Sequence, residues 1–282
     1  MKLIIILLVI ILLIFILSYY LFINKDAFNN TNFYILLDKP NDEIETINVI
    51  KTNSNTIIPL NVFITWSSHE MPPNMKKSIN MVMSKNSEFN FYIYSDEDCR
   101  KFLQKYFIQE VVDAFDTLIP GAYKADLWRY CVLYKYGGIY QDIKFQPVEK
   151  FKYINLINKE YFVRDIKLSG EGIYNAFMVC KAGNDILYKC IKQILVNVEY
   201  KFYGKSTLEP TGPLLMKRFF SQYEINNLEL YHKNIPINGI FKNNERILKF
   251  YDEYRTEQKK SSKPHYSILY KNREIYKQIH KT

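Results

Sequence analysis

Hydrophobic and polar positions divide this chain of 282 residues into three textures. Residues 3–23 read "LIIILLVIILLIFILSYYLFI", an uninterrupted apolar run of the length that spans a bilayer. Tyr19, Tyr20 and Phe22 stand where a signal-peptide cleavage site would need small residues, so the run predicts an uncleaved transmembrane signal-anchor over residues 1–23. Residues 24–57 are rich in Asn, Asp, Thr and Ser with only short apolar stretches, which predicts a stem or linker. From residue 58 to 282, β-branched and aromatic runs alternate with helical periodicity, the pattern of one α/β domain with ample sequence for a core.

Within that domain, "PLNVFITW" predicts a core strand ending at Trp66, and "SSHEMPP" a loop. A helical pattern over about residues 74–84 leads to a second strand at "EFNFYIYS", where Ser95 and Asp98 have the spacing of a capping box. Strand, helix, strand, helix is the opening of a parallel sheet. "AYKADLWRYCVLYKYGG" predicts a helix with Leu127, Tyr130, Cys131 and Tyr134 on one face, stopped by Gly137 and Gly138, after which "GIYQDIKF" runs extended. Further strands are expected near "YFVR" and "NAFMVC", a helix over residues 185–200, and a turn at Thr211 to Pro213 before another helix. No internal repeat or low-complexity block interrupts this order.

Charge changes the picture little. The formal balance is +9, with 38 Lys and Arg against 29 Asp and Glu, but the lysines are scattered among Tyr, Asn and Ile, and no nucleic-acid recognition motif accompanies them. Residues 242–282 carry eleven Lys and Arg against five Asp and Glu, a surplus that could face a diphosphate, an anionic membrane surface, or solvent alone. The four cysteines have no zinc-site spacing; Cys131 reads as a small core residue, while Cys180 and Cys190 could pair in an oxidising lumen or remain free thiols. Lys2 favours a cytoplasmic amino terminus, which places the domain in a secretory lumen or otherwise outside the cytoplasm as a single-pass membrane protein. The only glycosylation acceptor pattern is Asn29-Asn30-Thr31.

Ligands of open α/β sheets bind beyond the carboxyl ends of the strands, and Trp66 and Asp142 both fall at such positions. A nucleotide-sugar donor presents a flat base, sugar hydroxyls and a departing diphosphate; an aromatic ring, a carboxylate and a cation answer those three demands. Taken singly, the residues have ordinary readings: Trp66 as core, Asp126 and Arg129 as an i,i+3 ion pair, the glycines as a helix stop.

In this order they are specific. "ADLWRYCVLYKYGGIYQD" closely resembles the "ADxxRYxxLYxxGGxYxD" core of glycosyltransferase family 32, the DXD sugar-binding family that includes the fungal alpha-1,6-mannosyltransferases and related lipid-linked mannosyl- and galactosyltransferases. The resemblance extends to "IPLNVFITWSSHEMP", "NAFMVCKAG" and "TGP", and more weakly to "HYSILYKNREIY". It implies a GT-A (Rossmann-like) fold, a GDP- or UDP-hexose donor, a glycan, glycoprotein or glycolipid acceptor, and usually retention of anomeric configuration. By position, Trp66 would lie against the base, Asp126 and Arg129 would hold donor-sugar hydroxyls, and Asp142 would open the DXD motif. Tyr140, Lys144, Thr211 and Gly212 would complete the donor site, with Asp126, Arg129 and Asp142 as the catalytic set.

Lys144 is the departure, since it occupies the place of the second aspartate. In the family pattern a divalent cation, Mn2+ or Mg2+, joins the motif to the diphosphate as a Lewis acid. Lys144 could replace metal and ligand together; the metal could persist on Asp142 and a residue such as His265; or the protein could be a membrane-anchored sugar- or partner-binding protein on a transferase fold. Retained transferase activity is the expectation, because Trp66, Asp126, Arg129 and Asp142 are all present. A glycosidase would need a second carboxylate across the scissile bond and no nucleotide-stacking aromatic.

Overall fold

A computed structural model describes residues 56–167, 170–233, 238–259 and 264–277. The expected anchor and all but the end of the expected stem lie outside the described residues. Among the described residues, no helix is long and apolar enough to cross a membrane.

The first sheet follows from the apolar runs. Strand β1 (Asn61–Thr65) buries Val62, Phe63 and Ile64 and pairs in parallel with β2 (Asn90–Tyr94) and β3 (Gly138–Gln141). Helix α1 (Pro73–Lys85) crosses between β1 and β2, opening on a proline and burying Met75, Ile79 and Val82. Strand β7 (Phe177–Cys180) closes the sheet antiparallel to β3, in the order β2-β1-β3-β7. The parallel expectation therefore holds for the first three strands.

The capping box expected at Ser95 is present: its hydroxyl accepts from the Asp98 amide and the Asp98 carboxylate accepts from the Ser95 amide, opening α2 (Asp96–Tyr106). After α3 (Gln109–Thr117) comes α4 (Gly121–Tyr136), which carries the motif. The sequence suggests one apolar face, but residues 126–134 are all buried. The reason is that α4 is enclosed by α2, α3, β1, β3 and α5 (Asp185–Glu199), so even Asp126 and Arg129 point into protein. Gly137 and Gly138 end it at φ +63° and +112°; a Cβ on either would come within 2.6 Å of backbone, which only glycine avoids.

A second, six-stranded sheet lies beyond what the sequence pattern predicts. Its order is β4-β10-β9-β8-β5-β6, built from β4 (Phe145–Pro147), β5 (Val163–Lys167), β6 (Gly170–Ile173), β8 (Leu230–Lys233), β9 (Gly239–Lys242) and β10 (Glu245–Phe250). Only β5 and β8 run parallel. A backbone bridge between Tyr161 and Val179 stitches the two sheets together. Short helices α6 (Pro213–Lys217), α7 (Gln222–Asn226), α8 (Tyr254–Lys259) and α9 (Tyr266–Lys271) fill the edges. Cys99, Cys131, Cys180 and Cys190 are buried free thiols, so Cys180 and Cys190 do not pair.

Candidate donor-sugar site

Because β1 and β3 are adjacent and parallel, the residues that follow them emerge side by side. Trp66 leaves the end of β1, its amide donating to the Tyr94 carbonyl at 3.0 Å; Asp142 leaves β3, its amide donating to the Ala176 carbonyl at 2.8 Å. Both line a cavity of about 510 Å³, together with Asp126, Arg129, Tyr140, Lys144, Gly212 and His265. Thr211 sits directly behind it, 1% exposed.

Two linked ion pairs form the cavity floor. Asp126 Oδ1 accepts from Asn175 Nδ2 at 2.8 Å and lies 3.4 Å from Arg129 Nη2, while Oδ2 accepts from the Thr211 hydroxyl at 2.7 Å. Arg129 donates from Nη1 to the Asn175 carbonyl at 2.9 Å, reaches Asp142 Oδ1 at 3.4 Å, and lies over the Tyr140 ring at 4.5 Å. Tyr140 donates its phenol proton to Asp142 Oδ1 at 2.8 Å, and Lys144 Nζ donates to Asp142 Oδ2 at 2.5 Å. Gly212 leaves room for the Asp126 carboxylate; a Cβ there would stand 3.3 Å from Oδ2.

The two carboxylates are tuned apart. Burial pushes Asp126 up from the usual carboxylate range, against the pull of Arg129 and the Thr211 and Asn175 hydrogen bonds. Burial also pushes on Asp142, but the Lys144 ammonium and the Arg129 guanidinium outweigh it and hold that carboxyl low. Lys144 is opposed by burial and held well above the ordinary lysine value by Asp142. At neutral pH the Asp142–Lys144 unit is a fully charged, internally neutral pair.

The donors present do not fit a divalent cation. Both oxygens of Asp142 are engaged, one of them by an ammonium. By Coulomb's law, a divalent ion roughly 4 Å from that ammonium would be repelled by about 8 kcal/mol at an effective dielectric constant of about 20. His265 lines the same cavity, but it serves as the cap of α9, with Nδ1 2.7 Å from the Ser267 hydroxyl. Among the described residues no three His, Cys, Asp or Glu side chains converge as a metal would require.

Several groups here escaped the sequence reading. Asn175 opens "NAFMVC" and binds Asp126 through its side chain and Arg129 through its carbonyl; a polar residue at the head of an apolar run was its only local signal. Tyr174, Phe250 and Arg255 also line the cavity, but they come from the second sheet and α8. His232 of β8 lines it too, stacked on Tyr174 with ring centroids 3.9 Å apart and its Nδ1 3.0 Å from Asp165.

Residues 72–163, which include α4 and the Asp142 loop, match the family described as "Glycosyltransferase sugar-binding region containing DXD motif". That match covers about a third of the chain. It is 24% identical over 188 residues to inositol phosphoceramide mannosyltransferase 3 of Schizosaccharomyces pombe, covering 65% of this chain and 51% of that protein. It is 26% identical over 102 residues to the initiation-specific alpha-1,6-mannosyltransferase of Candida albicans, covering 33% of this chain and 26% of that one. The chain thus spans about half or less of the length of these relatives. Among solved structures, the PaToxG glycosyltransferase superposes with a TM-score of 0.43 and 17% identity over 57% of this chain and 67% of that one, a likeness too distant to assign anything. The D-x-K form of the motif is a feature of this chain's own sequence.

Proposed function

We propose that this protein is a glycosyltransferase with a GT-A-type domain, moving a hexose from a nucleotide-sugar donor to a glycolipid or other glycan acceptor. The observation that carries the reading is the convergence of Trp66, Asp126, Arg129 and Asp142, spread over 77 positions from 66 to 142, on one cavity beyond the carboxyl ends of β1 and β3. Trp66 offers the nucleotide base a flat apolar wall. Asp126 keeps acceptor capacity after its bonds to Thr211, Asn175 and Arg129, because a carboxylate presents about four lone-pair sites, and that capacity suits donor-sugar hydroxyls.

In transfer the bond between the anomeric carbon and the phosphate oxygen breaks, and the nucleoside diphosphate departs with the electron pair. The acceptor oxygen bonds to the anomeric carbon, and its proton passes in the end to the departing diphosphate. Charge therefore grows on the departing phosphate, where fixed cations stabilise it most in a site shielded from water. Arg129 and Lys144, each held by a carboxylate, are the cations on this floor.

The similarity to an inositol phosphoceramide mannosyltransferase supports a hexose donor and a sphingolipid-type acceptor. An anchor over residues 1–23, with the domain in a lumenal or extracytoplasmic space, would hold the cavity near such an acceptor; retention of configuration is the outcome the family resemblance implies. The test incubates the full chain in detergent micelles with UDP- and GDP-hexoses and a panel of glycolipid and oligosaccharide acceptors, reading nucleotide release and product mass. One donor should support transfer, and Asp126→Ala should lower it at least about 100-fold, the scale on which removing a preorganised transition-state group acts. Glycan binding without transfer, unchanged in Asp142→Ala, would make this a sugar-binding protein instead.

A further inference from the structure

We infer that the donor diphosphate is held in this cavity by the Lys144 ammonium in place of a divalent cation, and that Asp142 acts as the positioning residue for that ammonium. This rests on the transferase reading above and sharpens it.

Three observations converge. The first is occupancy: Lys144 Nζ sits 2.5 Å from Asp142 Oδ2, and the other oxygen is taken by Tyr140 at 2.8 Å, with Arg129 at 3.4 Å. Both oxygens of Asp142 accept from protein donors and its charge is matched by the ammonium, the arrangement of a carboxylate that orients a cation rather than one awaiting a metal.

The second is confinement. Lys144 Nζ lies 5.4 Å from the Phe145 ring centroid, 5.3 Å from Tyr174 and 5.5 Å from Phe250, three aromatic faces within cation–π range. Phe145 and Phe250 pack edge to face at 5.2 Å, and the Tyr251 amide donates to the Lys144 carbonyl at 3.0 Å, so the backbone of the lysine is pinned as well as its tip. A lysine merely filling a vacated position on a surface would be free to turn into solvent; this side chain is 14% exposed. An ammonium carries three donors; Asp142 takes one, and even with the Tyr174 hydroxyl taking a second, one remains for a phosphate oxygen.

The third is charge. Two aspartates with a divalent ion sum to zero, and Asp142 with Lys144 also sums to zero. The diphosphate therefore meets the same formal charge in either arrangement, with the positive end now covalently part of the chain. The second aspartate and the metal are replaced as a unit.

The experiment is calorimetric titration of the full chain in detergent micelles with UDP and GDP, in chelator and then in Mn2+, for the wild type, Lys144→Met and Lys144→Asp. For the preferred nucleotide, the wild-type Kd should agree within about threefold between the two buffers, and Lys144→Met should weaken it about tenfold or more in both, as loss of one charge-assisted contact does. Lys144→Asp should bind poorly in chelator and regain at least about tenfold with Mn2+, because it rebuilds a two-carboxylate site. Wild-type affinity at least about tenfold higher with Mn2+ than with chelator overturns the inference while leaving the transferase reading intact. That comparison needs no variant, so it stands even where a substitution misfolds. Equal affinity of the wild type and a folded Lys144→Met also overturns it. Absence of binding by either nucleotide in either buffer overturns the transferase reading itself.

Discussion

Asp126 shows at the residue scale how an unremarkable i,i+3 pair becomes part of a site. Exposed on a helix, Asp126 and Arg129 would contribute a few tenths of a kcal/mol. Here both are buried, and the carboxylate needs Thr211 and Asn175 as well as Arg129 to offset its desolvation. Thr211→Val should therefore cost roughly 1–3 kcal/mol of stability, the cost of leaving a buried acceptor short of its donor. It should also raise the KM for the sugar donor more than the Kd for the free nucleotide, if the loosened group faces the sugar as proposed; denaturant melts and donor titrations measure the two effects. The Asp142–Lys144 pair makes a second prediction with a definite sign. Asp142 is held below its ordinary value of 3.8, so its contribution is fully present above that pH and is lost as pH falls through the lower folded value. Lys144 is held above 10.5, so its contribution is fully present below that pH and is lost as pH rises through the higher folded value. The stability difference between wild type and Lys144→Met should accordingly be flat from about pH 5 to pH 9 and shrink on acidification below the ordinary carboxylate value, as read by denaturant titration across pH. A difference that changes steadily through neutral pH would contradict the assigned charge states.

At the scale of elements, the connection from α4 to β3 decides where the chemistry is delivered. Gly138 at φ +112° places its α-carbon where a Cβ would meet the Asn61 carbonyl oxygen of β1 at 2.5 Å, and that oxygen is backbone and cannot swing aside. Gly138→Ala should therefore cost at least about 3 kcal/mol, strain and overlap together, and its expression as aggregated or low-melting protein would show it. Tolerance of that alanine would mean that β1 and β3 are not so closely apposed. This turn was legible in the chain because it is local: the double glycine, the helical run before it and the Ser95–Asp98 capping spacing each announce themselves within a few residues. The enclosure of α4 was not legible, since the apolar stripe of Leu127, Tyr130, Cys131 and Tyr134 looks the same whether the opposite face meets water or α5. Strands β8, β9 and β10 were hidden for a different reason: four to six residues each, they mix lysine, histidine, arginine and glutamate with apolar positions and acquire a strand's pattern only once paired. The site divides along the same line, with Trp66, Asp126, Arg129 and Asp142 on locally marked elements, and Asn175, Tyr174 and Phe250 brought in by pairing over long sequence distances.

At the scale of the molecule, the cavity has a floor from α4 and the loop after β3, and a wall that depends on the carboxyl-terminal part of the chain. Strand β10 supplies Phe250, α8 supplies Arg255 and Gln258, and the start of α9 supplies His265 and Tyr266. That last segment is fastened at its far end: Tyr276 bridges Leu118, the Ile119 amide donates to the Ile275 carbonyl at 3.0 Å, and the Lys277 amide donates to the Thr117 carbonyl at 2.8 Å. Ile275 is fully buried at this seam, immediately before α4 begins. Among the described residues, the basic surplus of residues 242–282 is thus carried by a segment that is part of the cavity wall rather than by a purely solvated tail. The seam and the cavity should respond together. Ile275→Ala removes buried methylene groups and should cost about 2–5 kcal/mol if the seam is integral to the folded domain. It should also weaken nucleotide-sugar binding, because Tyr266 packs against Tyr123 of α4, with ring centroids 6.0 Å apart, and shifts with the segment. A denaturant melt paired with donor titration separates the cases. Loss of stability together with affinity makes the segment a structural wall, whereas full affinity with unchanged stability would mean that the cavity is completed by the two sheets alone.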